Sequence, residues 1–392
     1  MKTTTSYLTK LESFSKFLAV LTAATLPLST TATGVLFILT VVVNFASGGW
    51  RDKFFFIFHH PVARMFLVFF ALFLLGLTYT RAPLSEALHV LSKYDKFLLA
   101  TLLMPLFRDE KVRNHALQAF MWAMVIVLVC AYLKAFGVIK YGVWYGPVEI
   151  FKGHISFSFL MGFTAYLAAL RWLQVKTLIE RVILTIFILL IIYELLFLGI
   201  SRSGYFVLFG LTLVFCVQKM RWWRGIIVGV ISVTLLVGTA WFFSGVFKGK
   251  LTEGKGDVAS YNATHDTSIG TRMYFVENSL ILIKAHPFFG SGTGSFKSQY
   301  NQLPNVQKIT IANPHDEYLH EMIQFGVLGL VVLLALFGTQ LWYSRRLPPD
   351  LNSIAQALVI TMMIGCCANS WLLDTTPGHV YAFFMALTFA AL

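Results

Sequence analysis

Read for hydropathy, the chain alternates long apolar runs with short polar turns. Crossing a bilayer as a helix takes about 20 apolar residues. About 12 runs meet that measure, near residues 15–31, 33–47, 62–80, 85–106, 115–135, 153–172, 182–200, 204–218, 225–243, 317–342, 352–372 and 377–392. One segment breaks the pattern: residues 244–316 are rich in Lys, Asp, Asn, Gly and His. The pattern predicts an all-α polytopic membrane protein of about 12 transmembrane helices, with one large outer loop containing short helices. It divides the chain into spans 1–9 over 1–243, the loop over 244–316, and spans 10–12 over 317–392.

Composition agrees with that division. Of 392 residues, 57% are hydrophobic and 12% charged, and the mean hydropathy is +0.72, which no soluble fold of this length hides. The 31 basic and 18 acidic side chains leave +13. In a membrane chain, cytoplasmic turns and anionic lipid ligands account for that excess without a nucleic acid. With the N-terminus placed inside, the inner turns carry Arg51 and Lys53; Arg108, Lys111 and Arg113; Arg171, Lys176 and Arg181; Lys219, Arg221 and Arg224; and Arg345 and Arg346. The outer turns hold fewer, although 134–152 carries Lys134, Lys140 and Lys152. Both ends are therefore expected in the cytoplasm, and the long loop outside. The first apolar run, interrupted upstream by Glu12 and followed at once by another from Val35, reads as a span rather than a cleaved leader. Cys130, Cys216, Cys366 and Cys367 all lie in apolar stretches, so neither a disulfide framework nor a zinc site is expected.

Three places can carry chemistry. In Ser201-Arg202-Ser203-Gly204 an arginine precedes a span, where serines can cap the helix and its free N–H groups point outward. A cation there is unfavourable unless an anion meets it, though Arg202 could equally snorkel to lipid headgroups. In Ser268-Ile269-Gly270-Thr271-Arg272 a second arginine lies at the start of a helix read over Met273–Ala285, stopped by Pro287. Alone, Arg272 reads as a solvated charge; with Arg202 it favours a ligand bearing more than one phosphate.

The third place is Asn313-Pro314-His315-Asp316-Glu317. Asn313 can act as N-cap, Pro314 suits the first helical position, and acids follow in the first turn. His315 then stands at the mouth of a span, where a neutral imidazole can act as general base. At about 100° per residue, Gly326 and Gly329 fall close to the face His315 heads, either as a groove for a lipid chain or as a seam for helix packing. His315, Asp316, His320 and Glu321 could ligate a metal, but the zinc-protease spacing is absent and no metal is expected. Gly290-Ser291-Gly292-Thr293-Gly294 lacks the ending of a phosphate loop and reads as a turn with positive φ. Lys93, Asp95, Lys96 and Glu194 stand within candidate spans; Lys93 and Lys96 could reach a lipid phosphate or pair internally. His286, before Pro287, reads as a turn residue.

Together these residues resemble the O-antigen ligase and polymerase superfamily of bacterial membrane glycosyltransferases. The resemblance rests on Arg202-Ser203-Gly204, on Gly270-Thr271-Arg272 leading to Ala285-His286-Pro287 and Gly290–Phe296, and on a histidine followed at fixed spacing by Gly-x-x-Gly. The ligase form of that last motif has Asn, Ser or Gln after the histidine. Here Asp316 takes that position, and nine residues then lead to Gly326-Val327-Leu328-Gly329. The resemblance implies transfer of a glycan from undecaprenyl diphosphate to a hydroxyl of the lipid A-core, at the periplasmic face of the inner membrane, with inversion and with no cofactor or metal. It gives His315 the role of base and Arg202 and Arg272 the donor diphosphate; Asp316, Gly326, Gly329 and Lys93 would support them. The polymerase form extends another lipid-linked glycan and tends to have two large outer loops, where this chain has one. A secondary transporter, the reading of another class, would show repeated halves, and none is detectable.

Overall fold

The computed structural model describes residues 2–140, 146–259, 261, 267–304, 306 and 308–392. Among the described residues there are sixteen α-helices and no strand. They run α1 Lys2–Thr25, α2 Thr30–Ala46, α3 Trp50–His59, α4 Pro61–Leu77, α5 Leu84–Leu103, α6 Glu110–Ala135, α7 His154–Gln174 and α8 Leu178–Tyr193. They continue with α9 Arg202–Lys219, α10 Trp222–Phe243, α11 Gly245–Ala259, α12 Ser268–Ala285, α13 Ser295–Tyr300, α14 Glu317–Ser344, α15 Pro349–Cys366 and α16 Thr375–Phe389.

Each expected span coincides with a helix. Among the described residues, five helical segments are long and apolar enough to cross a membrane: α6, α7, α8 with its π-helical end Glu194–Leu198, α10 and α14. A sixth results if α3 and α4 are one broken span, bent by 84°. The bend has a local cause, because Pro61 opens α4 and the His60 ring caps it, accepting from the Ala63 N–H at 3.2 Å. Residues 50–59, expected as an inner turn, are thus helical. The loop 244–316 holds α11, α12 and α13, and α12 begins at Ser268, five residues before the expected Met273. All four cysteines are free thiols.

Packing groups the chain into two compact units: 1–19, 35–113 and 257–392 in the first, 20–34 and 114–256 in the second. In the second unit α7, α8, α9 and α10 pack in succession. In the first unit α4 packs on α5 and α14, α14 on α15, and α16 on α5 and α15. There the loop folds onto the start of α14 through Phe275, Leu282 and Ile283 of α12, Phe296 and Tyr300 of α13, and Ile323.

The glycine-rich turn completes the first unit. Gly290, Gly292 and Gly294 all have positive φ, as expected. The turn supplies hydrogen bonds to α14 where that helix breaks at Gly326 (φ 65°, ψ −152°). Ser291 and Gly292 N–H donate to the Ile323 and Gln324 carbonyls at 2.9 and 2.8 Å, and Val327 N–H donates to the Pro287 carbonyl at 2.8 Å. A Cβ at Gly326 would lie 2.3 Å from the Phe288 carbonyl carbon. Gly326 therefore serves a close backbone crossing. The same break separates it from any helical face shared with His315, so the expected glycine groove is a packing seam.

Candidate active site

The start of α14 differs from its expected form. Asp316, not Asn313, is the N-cap, and its carboxylate accepts from the Leu319 N–H at 2.8 Å. The Asn313 side chain instead accepts from the His315 N–H at 3.0 Å, a local turn. His315 is thus outside the helix, with φ 57°; among the described residues it alone holds a positive φ without being glycine. A residue held there by its surroundings is a mark of functional geometry.

Three side chains surround the His315 ring. Phe275 of α12 lies 6.0 Å away, centroid to centroid. Nδ1 is 2.7 Å from Oδ1 of Asn369, in the turn between α15 and α16. The Arg272 charge, from the same helix as Phe275, acts on the ring. Burial holds the His315 pKa below its ordinary value; the Asn369 contact opposes that shift and the Arg272 charge adds to it. Arg272 and His315 are therefore brought together, in surroundings that disfavour the protonated ring. Arg272 stands in the second turn of α12, behind Thr267, whose hydroxyl accepts from the Gly270 N–H at 3.0 Å.

A buried polar cluster lies directly beneath. The Tyr94 hydroxyl donates to Oε1 of Glu317 at 2.6 Å and lies 3.2 Å from Oε1 of Glu321 and 3.4 Å from Nδ1 of His320. Glu317, His320 and Glu321 are fully buried and could hold a cation, their ligand atoms lying within 4.8 Å of one another. The Tyr94 hydroxyl reaches all three, while Oε2 of Glu321 is buried without a hydrogen-bond partner, so hydrogen bonds satisfy the cluster only in part. Oε2 of Glu317 also accepts from the Leu372 N–H at 3.2 Å, tying the start of α14 to the α15–α16 turn. Lys96 is buried and donates to the main-chain carbonyls of Leu373 and Asp374 at 3.2 and 2.8 Å, so the partners seen are backbone rather than the expected aspartate carboxylate. Lys93 is half-buried on the same helix, and its charge acts on Asp374.

Arg202 belongs to the second unit. It is the first residue of α9, and Ser201 before it makes no cap hydrogen bond, contrary to expectation. Its Nε donates to the Lys250 carbonyl at 3.1 Å, and its guanidinium pairs with Glu253 at 3.2 Å. The anion that meets this cation is thus a side chain of α11. Gly204 allows close packing on α7, since a Cβ there would lie 2.7 Å from that of Ser158.

Sequence reasoning missed Asn369, Asp374, Tyr94 and the Arg81–His286 contact. The signal available was the polar pair Asn369 and Asp374 bracketing an otherwise apolar turn.

Helices of this length and apolarity, with polar chemistry at the head of one, define a multi-pass membrane protein. Residues 184–334 match the family model described as O-antigen ligase, a stretch that contains Arg202, Arg272, His315, Gly326 and Gly329. Over that stretch the resemblance drawn from the residues is shown. The chain is also similar to an uncharacterized protein of Haemophilus influenzae, 29% identical over 96 residues. That match covers 23% of this chain and 24% of that protein.

Proposed function

We propose that this protein is an O-antigen ligase: it moves a glycan from undecaprenyl diphosphate to a hydroxyl of the lipid A-core, at the periplasmic face of the inner membrane. The observation that carries the proposal is an imidazole held in a left-handed backbone at the head of a span, contacted by Asn369 and under the charge of Arg272. In this reading His315 takes the proton of the acceptor hydroxyl as its oxygen bonds to the anomeric carbon. The bond from that carbon to the diphosphate oxygen breaks, its electron pair leaves with the lipid diphosphate, and the anomeric centre inverts. Charge grows on the departing phosphate, and Arg272 neutralises it. The family resemblance assigns Arg202 to the same diphosphate, which would then replace Glu253. The roles fall on side chains alone, with no metal or cofactor; Asp316 acts by capping α14, Gly326 by letting α14 pack on Phe288, and Gly329 by leaving room for the Glu321 carbonyl and Phe325 of the same helix at its break. Membrane lipids surround the spans, and about 12 of the helices cross in this reading.

The test is the lipopolysaccharide profile of cells lacking the gene, rescued with wild type or His315→Ala, with undecaprenyl-linked glycan assayed in parallel. A ligase leaves long chains on the lipid carrier until wild type, and not the variant, is restored. Single repeats capped onto the core would identify a polymerase, and an unchanged ladder would overturn both.

A further inference from the structure

The orientation of one amide determines which nitrogen of His315 is the base. Asn369 is nearly buried, 7% exposed, and its side chain is held at both ends. Its Nδ2 donates to Oδ2 of Asp374 at 2.8 Å, and its Oδ1 faces Nδ1 of His315 at 2.7 Å. A carboxylate only accepts, so the amide nitrogen must point to Asp374 and the amide oxygen to the histidine. An amide oxygen carries no hydrogen, so a 2.7 Å contact requires the hydrogen on Nδ1. The lone pair is then on Nε2, which has no hydrogen-bond partner among the described residues.

Asp374 gives the same answer from another direction. It stands at the N-cap of α16, where an aspartate ordinarily accepts from its own helix, yet it makes no cap hydrogen bond. Its carboxylate is committed to Asn369 instead. Its backbone is secured separately, because the buried Lys96 donates to its carbonyl and to that of Leu373. A fixed turn, a carboxylate that forgoes its cap and an amide that cannot flip form one chain ending on the imidazole.

We propose that Asn369, oriented by Asp374, is a positioning residue that fixes His315 in the Nδ1–H tautomer and presents Nε2 as the base. Its catalytic consequence rests on the proposed transfer reaction, whereas the tautomer itself does not. The first measurement is therefore independent of activity: nitrogen NMR of histidine-labelled full-length protein in nanodiscs, with His315→Gln to assign the signal. Above the His315 pKa, the expected spectrum shows Nδ1 protonated and Nε2 bare. An Nε2–H signal in the wild type would overturn the proposal, whatever the protein transfers.

The second measurement reads kinetics. Asn369→Leu removes the acceptor and should lower kcat on the order of 10²-fold, leaving KM for the donor within about twofold. Asn369→Asp, made together with Asp374→Asn so that an amide still donates to residue 369, keeps an acceptor oxygen facing Nδ1 and moves the negative charge next to the ring. It should recover much of kcat while moving the acid limb of the pH–rate profile upward, because a carboxylate favours the protonated ring. Equal losses in both variants with an unmoved limb would reduce Asn369 to a structural part. An Nδ1–H spectrum together with an active His315→Ala would sink the assignment of His315 as base and leave the tautomer standing.

Discussion

The head of α9 and the head of α14 with its neighbour α12 carry the same signal in sequence: a basic residue beside small cap-forming residues at the start of a helix. Their surroundings are opposite. At α9 the Arg202 guanidinium already has a carboxylate, Glu253, whose side chain is 47% exposed, and the cation is neutralised within its own unit. At α14 the Arg272 charge acts on the His315 imidazole and, together with burial, lowers its pKa. At one helix start the arginine meets an acid of the chain, while at the other the arginine and the imidazole disfavour one another's charge. The arginine of α9 is thus tied to a carboxylate of α11, whereas the arginine of α12 acts on the imidazole that heads α14.

The deepest cut at that comparison is His315→Ala. Loss of a positioned base lowers transfer by about 10²–10⁴-fold, and glycan transfer to the core by purified protein measures it. Donor binding should remain within a fewfold of wild type. Next in size is Gly326→Ala. The Gly326 conformation is one that only glycine adopts readily, and a Cβ would meet the Phe288 backbone, so stability should fall by on the order of 3 kcal/mol. Gly338→Ala on the same helix enters open space and should raise stability by roughly 0.5–1 kcal/mol. Apparent unfolding temperatures of the two variants in one detergent should move in opposite directions.

Arg272→Gln tests the electrostatic half. Removing one charge-assisted contact should weaken donor binding roughly tenfold. It should also shift the pH profile. The Arg272 charge disfavours the imidazolium and so lowers the His315 pKa; without it that pKa rises, and the acid limb of kcat/KM moves to higher pH. An acid limb that stays put would separate Arg272 from His315.

What the sequence made legible follows from the range of the forces involved. Periodicity is local, so the all-helical class, the helices themselves and the positions of Arg202, Arg272 and His315 near helix starts were readable. The partners were not. Tyr94 meets Glu317 across 223 residues, and His315 meets Asn369 across 54. The misread start of α14 shows why local rules fall short: Asn313-Pro314 satisfies the capping pattern, but the Asn313 side chain is spent on the His315 N–H, and the left-handed His315 leaves Asp316 to begin the helix. The supposed alignment of His315 with Gly326 fails for the same reason, because helical phase cannot be counted from a residue outside the helix or through a break at Gly326.

The finest test falls on α9. Glu253→Gln removes the carboxylate from Arg202 without shortening the side chain, and because the pair is partly exposed it contributes about 0–1 kcal/mol to folding. The guanidinium of Arg202 then loses the carboxylate seen to pair with it. Binding of undecaprenyl diphosphate to the full-length protein in nanodiscs should tighten a fewfold at low salt. The gain should fade as the ionic strength approaches about 0.15 M, where the Debye length is about 8 Å. If Arg202 only serves to hold α11 against α9, the same substitution leaves affinity unchanged at every salt concentration, and the diphosphate then depends on Arg272 without it.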